Sequence, residues 1–490
     1  MRLHELLGDV DVLEWRGDSR VEVTAIVHDN RLVTPGACFA CIPGAVTDGH
    51  TLAAAAVDAG AVALLVERLL DVDASQARVA SVRRTLGPAA ARLLGHPSAS
   101  LRCLGVTGTN GKTTTTYLLE AVARAAGERV GVIGTVGARV AREAVPFERT
   151  TPEATELQAL LARMRDAGVA TVAMEVSSHA LDQHRVDGIQ FAAVCFTNLS
   201  HEHLDYHGDL AAYFEAKASL FDPARAAAAA ANADDRHGAE IIRRSRAAGL
   251  PTLTFALDAQ ADVMARDIRQ DPRRANFELV WSAGSRRGRV HSTLPGRFNI
   301  ANSLAAAATA LASGIPFDAV VTGLSEPLVV PGRLEPVDGG QPFAVFVDYA
   351  HTPAAVGRVL AAARPIAGDG AVTVVFGCGG DRDRDKRPLM GRAAGTGADH
   401  VVVTSDNPRS EDPAEIADAV LAGLRDTRAD VVVELDRRAA IRHALTNARA
   451  GDVVIVAGKG HETGQTTGDV TRPFDDRVVV REELEALGCA

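Results

Sequence analysis

No run of about 18 apolar residues occurs in this chain, so nothing in it reads as a membrane-spanning helix. The opening MRLHELLGDVDVLEWRGD is polar and acidic, which does not match a secretory signal, and a cytoplasmic protein without membrane insertion is expected. An excess of positive charge is also missing: 52 Lys and Arg stand against 62 Asp and Glu, a net charge of -10. That balance argues against a nucleic-acid platform. Cysteine is sparse. Cys38 and Cys41 form one C-x-x-C, but no second pair follows at zinc-site spacing, while Cys103, Cys195, Cys378 and Cys489 are scattered among apolar residues. They read as small buried hydrophobes, and no disulfides are expected. No internal repeat of fixed period is evident.

What is present is ordinary globular composition, 47% apolar and 23% charged over 490 residues, enough for two to four domains. The first hundred residues alternate short apolar runs (VTAIVHD, ACFACIPG, AVALLVE) with an alanine-rich helical stretch, an α/β pattern that ends at the turn-rich GHPSAS. A strand over Cys103–Thr107, a glycine loop and a helix from Lys112 to Ala126 follow in P-loop order. Strand-like VAMEV (172–176) and FAAVCFTN (191–198) each end in polar residues, where open α/β sheets collect ligands. ARAAAAAANADD, 224–235, favours helix by composition and strand by position. Beyond a hinge around Gly332, five β-rich runs (FAVFVDYA, VTVVFGCGG, HVVVTSDN, DVVVELD, DVVIVAGKG) alternate with helical stretches, predicting a second, largely parallel sheet.

The chemistry concentrates in a few stretches. GVTGTNGKTTT departs from the G-x-x-x-x-G-K-[ST] pattern, because Val106 occupies the first glycine's place while Gly105 and Gly108 flank it. Its backbone N–H groups and helix start suit phosphate, Lys112 suits the β and γ phosphates, and Thr113 suits magnesium. Glu175, in MEVSSH, is a metal-binding carboxylate candidate at a strand end. His201, Glu202, His203, Asp205, His207 and Lys217 lie within 17 positions. They fit either solvated helix-start polarity or a metal site, and no H-E-x-x-H pattern supports zinc. In TSDNPRSEDPAE, Asp412, Pro413 and Glu415 are explained by a capping box, leaving Asp406, Asn407 and Arg409 without a structural task. AGKGHETGQ similarly presents Gly458, His461 and Glu462.

Taken together, GVTGTNGKTTT, TTPEATELQ, MEVSSHALDQHRV, HLDYHG, EAKASLF, PGRFNIANSLAA, VPGRLEPV, VDYAHTP, GCGGDRDRDKRPLM, DNPR and GKGHE resemble the Mur ligase family in content and order over nearly the whole chain. The resemblance implies an α/β protein of three domains: a UDP-binding unit (1–97), a central P-loop ATPase sheet (98–331) and a C-terminal Rossmann-like parallel sheet that brings an amino acid (332–490). It implies ATP and Mg2+, UDP-MurNAc-L-Ala-D-Glu and meso-diaminopimelate as partners, a monomer, and amide formation through an acyl phosphate. Bringing a carboxylate to ATP sets like charges together, roughly 4 kcal/mol per unit pair at about 4 Å and an effective dielectric near 20, which cations must offset.

Residue by residue, the resemblance gives Gly108, Thr109, Asn110, Gly111, Lys112, Thr113, Thr114, Asn302 and Asp348 to ATP, and Arg333 to its phosphates. Thr113 and Glu175 would serve one magnesium; His203 and a carbamylated Lys217 would serve a second, so that Lys112, Lys217, His203 and Arg333 form the catalytic set. Asn30, Thr150, Thr151, Ser177, Gln183 and Arg185 match substrate-holding positions, with Asn30 replacing a usual serine. Arg382, Asp406, Asn407, Pro408, Arg409, Gly458 and Glu462 match amino-acid contacts. DNPR marks the diaminopimelate-adding members, and Arg409 suits a distal carboxylate that L-lysine lacks. Lysine addition, a catalytically silent binding protein and an ATPase coupled to motion are the alternatives.

Overall fold

The β-rich runs become strands of three parallel-rich sheets, each drawn from a successive stretch of chain. The structure, a computed structural model, describes residues 1–490 except 45, 46, 142, 146, 148, 201, 272, 273 and 490; at 205 and 271 it describes the backbone alone. The first sheet runs in space Val12–Arg16, Ser75–Val79, Ala63–Val66, Ala37–Ala40, Ala25–Val27, parallel except for its first pair. Cys38 and Cys41 are fully buried here, and burial pushes both thiols up to about 12. All six cysteines are free; five are buried, as packing residues would be, while Cys489 is half-buried.

The central sheet has 11 strands. Its parallel heart runs Thr252–Ala256, Ala229–Asn232, Ala193–Phe196, Arg102–Thr107, Thr171–Glu175, Val130–Gly134. Antiparallel hairpins extend both edges. Alternation along Arg102–Thr107 sends Leu104 and Val106 into the core under helices Lys112–Ala125 and Arg297–Ala312, and Cys103 into the core under Ala154–Asp166. Because that strand lies between Thr171–Glu175 and Ala193–Phe196, the carboxyl ends of all three open onto one crevice.

Position prevails over composition at 224–235: Ala229–Asn232 is a buried parallel strand. Its small side chains let the alanine-rich helix Arg297–Ala312 lie close against the sheet.

The last sheet orders Ala344–Asp348, Val453–Ala457, Val372–Phe376, His400–Val403 and Asp430–Val433 in parallel, with Glu335–Pro336 antiparallel at the edge. Gly332, at the expected hinge, has φ +64, and a Cβ there would collide with the backbone of Gly460 and His461. One local expectation needs correction. Asp412 caps helix Pro413–Leu421 through the Ala414 N–H rather than the next one, so the predicted reciprocal box with Glu415 is not formed. Proline at the first helical position already removes one donor. Among the described residues no helix is long and apolar enough to cross a membrane.

Candidate active site

The loop after Arg102–Thr107 explains the displaced glycines. A Cβ on Gly105 would press on the Phe191 ring at 2.8 Å, so this glycine serves strand packing. Val106 is simply core, 0% exposed. Gly108 (φ +145) and Gly111 (φ +88) adopt conformations that favour glycine, and side chains there would strike Thr197 and Asn302. Gly111 caps helix Lys112–Ala125 without any side-chain cap bond, so the helix start presents backbone donors. Lys112 Nζ folds back on the loop, donating to the carbonyls of Gly108 (2.9 Å) and Thr109 (2.8 Å). Asn198 braces the loop by accepting from Asn110 N at 3.0 Å.

Lys217 is buried and donates to the same Gly108 carbonyl at 2.9 Å, its ammonium 4.6 Å from the Tyr213 ring centroid. Burial first, and then the Lys112 charge, drive its pKa well below the ordinary lysine value, toward a neutral amine. Glu175 is held by Thr135, which donates its N–H to Oε1 at 2.8 Å and its hydroxyl to Oε2 at 3.0 Å. Thr113 Oγ1 accepts from Arg333 Nη2 at 3.1 Å, and the Arg333 guanidinium lies 4.7 Å over Tyr349. This contact ties the hinge to the P-loop.

His203 has φ +57, and burial pushes its pKa down to about 4 against the pull of Glu202. Glu202 feels an upward push from burial, yet His351, His203 and Lys112 hold it down to about 2. Asp348 accepts from the N–H groups of Leu334 (2.7 Å) and Ala350 (2.8 Å), while burial raises its pKa. Asn302 donates to Asn299 at 3.1 Å and closes over Gly111.

One cleft collects Thr109, Asn110, Gly111, Lys112, Thr113, Thr114, Thr150, Glu175, Ser177, His203, Lys217, Asn302, Arg333 and Asp348. Gly108 contributes the carbonyl shared by the two lysines. Asn30, Thr151, Gln183 and Arg185 do not line that cleft. Thr151 joins its rim by bonding the Glu175 carbonyl at 2.9 Å and Ser177 at 3.4 Å. Arg185 is tied up locally, donating to Thr151 O (3.0 Å) and Gln183 Oε1 (2.6 Å) and pairing with Glu153 (3.1 Å). Gln183 in turn donates to Tyr206 at 3.0 Å. Asn30 opens a short 3-10 turn whose cap is Asp29, in the first α/β unit. His201 lies outside the described residues, as does the Asp205 side chain. Among the described residues no group of three His, Cys, Asp or Glu converges as a metal site.

A second cavity gathers Arg382, Asp406, Asn407, Arg409, Gly458 and Glu462 at the carboxyl ends of the last sheet's strands; Pro408 is buried and does not line it. Arg409 takes φ +52, a costly conformation for a β-carbon residue. The hairpin Gly464–Thr467/Val470–Pro473 holds it there: Arg409 N donates to Thr466 O (3.1 Å), and Gly468 N donates to Arg409 O (2.7 Å). Arg409 Nη1 donates to Gly380 O at 2.7 Å. Asn407 donates to Glu462 Oε2 at 2.9 Å. The fully buried Lys459 binds the same carboxylate oxygen at 3.0 Å and Asn407 Oδ1 at 3.3 Å. A Cβ on Gly458 would meet Asp406 Oδ2 at 2.6 Å, so only glycine leaves that carboxylate room.

The two cavities meet. Glu202, His203, Tyr349, His351 and Thr352 line both. The motifs leave Lys459, Thr135, His351 and Arg358 unassigned: Lys459 and His351 sit inside GKGHE and VDYAHTP and Thr135 lies outside every motif, while their partners Asn407, Glu202 and Glu175 are distant in sequence.

A P-loop cleft opening directly onto a second polar cavity defines a nucleotide-dependent group-transfer protein of α/β architecture. Residues 106–310 match the Mur ligase middle domain, 332–460 the Mur ligase glutamate ligase domain, and 22–93 the catalytic domain of the Mur ligase family. The UDP-N-acetylmuramoyl-L-alanyl-D-glutamate–2,6-diaminopimelate ligase of Streptomyces avermitilis is 45% identical, over 99% of this chain and 96% of its own. The enzyme of the same name from Geobacillus thermodenitrificans is 44% identical over 99% of both chains. A solved structure of a ligase so named superposes with a TM-score of 0.72 at 34% identity, covering 100% of this chain and 99% of the other. The chain belongs to the Mur ligase family.

Proposed function

We propose that this enzyme is the ATP-dependent ligase that joins meso-diaminopimelate to the D-glutamyl γ-carboxylate of UDP-MurNAc-L-Ala-D-Glu, a step of peptidoglycan precursor synthesis. The observation that carries this reading is the junction at Glu202, His203, Tyr349, His351 and Thr352, where a phosphate-type cleft and a diamino-acid-type cavity share walls. A carboxylate oxygen attacks the γ-phosphorus of ATP and ADP leaves. The amine nitrogen then attacks the acyl carbon, phosphate departs and the surplus proton passes to solvent. Lys112, Arg333 and the helix start offset the charge that gathers as carboxylate and triphosphate meet, so catalysis is chiefly positioning and electrostatic stabilisation. On this reading the domains span 1–97, 98–331 and 332–490, which accords with the spans of the three sheets.

The donor set suits magnesium at Thr113 and Glu175, both oxygen ligands. His203 and an unmodified Lys217 offer nitrogen, a poor match, whereas a carbamate on Lys217 would offer oxygen. A neutral, buried amine is the form that adds to CO2, forming a C–N bond and releasing a proton, so the depressed pKa of Lys217 supports this assignment. Magnesium there would neutralise phosphate charge. The Arg409 fork retains donors beyond the one given to Gly380 and suits the distal carboxylate of diaminopimelate. The Glu462 carboxylate, oriented by Lys459 and Asn407, suits the distal ammonium. ATP and a UDP-linked precursor imply a cytoplasmic reaction, and the enzyme is taken to act as a monomer.

Phosphate release with UDP-MurNAc-L-Ala-D-Glu, comparing meso-diaminopimelate with L-lysine, tests the reading. Turnover should require diaminopimelate; turnover with lysine alone would refute the Arg409 assignment, and turnover with neither would refute ligation. After equilibration with 13C-bicarbonate, a carbamate carbon resonance should appear that Lys217→Ala lacks.

A further inference from the structure

We propose that Arg358, carried by helix Pro353–Ala367 of the C-terminal unit, is a nucleotide-contacting residue that donates to the nucleoside half of ATP. The inference rests on the ATP reading above and extends it to a residue outside every motif. Arg358 lines the P-loop cleft and also two adjoining hollows, sharing all three with Phe298. Neither hollow touches Lys112, Thr113 or Arg333, the phosphate-side cations and hydroxyl. One hollow runs past Asn110, Gly111 and Asn302, beyond the loop that would hold the phosphates. Arg358 therefore stands where the cleft continues away from the triphosphate, at the end left for ribose and base.

Its chemistry calls for a ligand. Nη2 is buried with no hydrogen-bond partner, and no hydrogen bond or ion pair of Arg358 occurs among the described residues. The acids whose fields reach it, Glu202 and Asp348, are committed to His351 and to the backbone of Leu334 and Ala350. A desolvated guanidinium nitrogen without an acceptor is costly, and ribose hydroxyls and purine ring nitrogens are acceptors of suitable size. The helix is anchored in the C-terminal core through Val356, Val359 and Leu360, while the P-loop belongs to the central sheet. A nucleotide held by both would thus bridge the two units, and the diamino-acid cavity would be brought to the nucleotide through the same contact.

Calorimetric titration of ADP into the full-length wild type, Arg358→Met and Arg358→Lys tests this. Methionine keeps the stem volume and loses the donors. ADP affinity should fall roughly tenfold or more in Arg358→Met, less in Arg358→Lys, with the unliganded thermal midpoint of Arg358→Met no lower than that of the wild type. In turnover the KM for ATP should rise in parallel. Inorganic tripolyphosphate, which lacks the nucleoside, should bind wild type and Arg358→Met equally. Unchanged ADP affinity in Arg358→Met would overturn the proposal, and so would an equal loss for tripolyphosphate, which would assign the contact to phosphate. A wild type that fails to bind ADP would instead overturn the ATP reading itself.

Discussion

Arg437→Met should destabilise the enzyme by about 3–5 kcal/mol, the usual cost of removing one partner from a buried ion pair. Arg437 and Asp476 are 0% exposed side chains joined twice, Nε to Oδ1 at 2.8 Å and Nη2 to Oδ2 at 2.7 Å. The same guanidinium also donates to Ala457 O at 2.9 Å and Ser405 O at 3.2 Å. Methionine would leave the Asp476 carboxylate charged in a dry site and strip donors from both carbonyls. For a unit of roughly 150–250 residues, each kcal/mol moves the midpoint by about 2–4 °C, so a drop of roughly 6–20 °C is expected. The decisive comparison is Arg437→Met with Arg437→Met/Asp476→Leu, followed by thermal unfolding. The double variant carries no stranded charge and should recover most of the loss. If the single variant loses less than about 1 kcal/mol, or the double variant loses as much as the single, the stranded-charge reasoning is wrong.

Lys459→Met should loosen Asn407 and Glu462 and raise the KM for the diamino acid by roughly ten- to a hundredfold, the scale of one charged hydrogen bond, while leaving the KM for ATP unchanged; initial rates with each substrate varied would show this. Acid should destabilise the protein between pH 6.5 and about 4, because burial holds the folded-state pKa of His461 and of His203 at about 4, so the unfolded chain binds more protons in that window. Each histidine adds at most about 1.4 kcal/mol per pH unit to the slope, and His461→Gln should flatten the midpoint-versus-pH curve; an unchanged slope would deny His461 that role.

The nucleotide loop was legible in the amino-acid string because its chemistry is local. Glycines, a lysine and a helix start act within one turn of chain, so spacing carries nearly all the information. The five C-terminal runs were equally plain in their β-rich composition; Val372–Phe376 and Val453–Ala457 are buried throughout, as continuously apolar parallel strands should be, whereas the edge strand Asp430–Val433 is exposed along its length. The segment 224–235 was not legible, because alanine is the best helix former and only two neighbouring strands and an alanine-rich helix above them make it a strand. The substrate-type arginine at 185 was found by resemblance, yet its hydrogen bonds to Thr151 and Gln183 appear only once the strand ends converge.

By itself, then, the sequence determined that this protein binds a nucleotide phosphate on an α/β sheet, and its ordered motifs determined the family. Tertiary structure alone decided that both lysines, 105 positions apart, share one carbonyl, that Lys459 stands behind Glu462 and Asn407, that Arg358 enters the P-loop cleft with its buried Nη2 unpartnered among the described residues, and that the two cavities open onto each other. The reason is distance. Burial, shared acceptors and stranded donors depend on which remote segments the fold brings within a few ångströms, and no spacing rule along the chain encodes that.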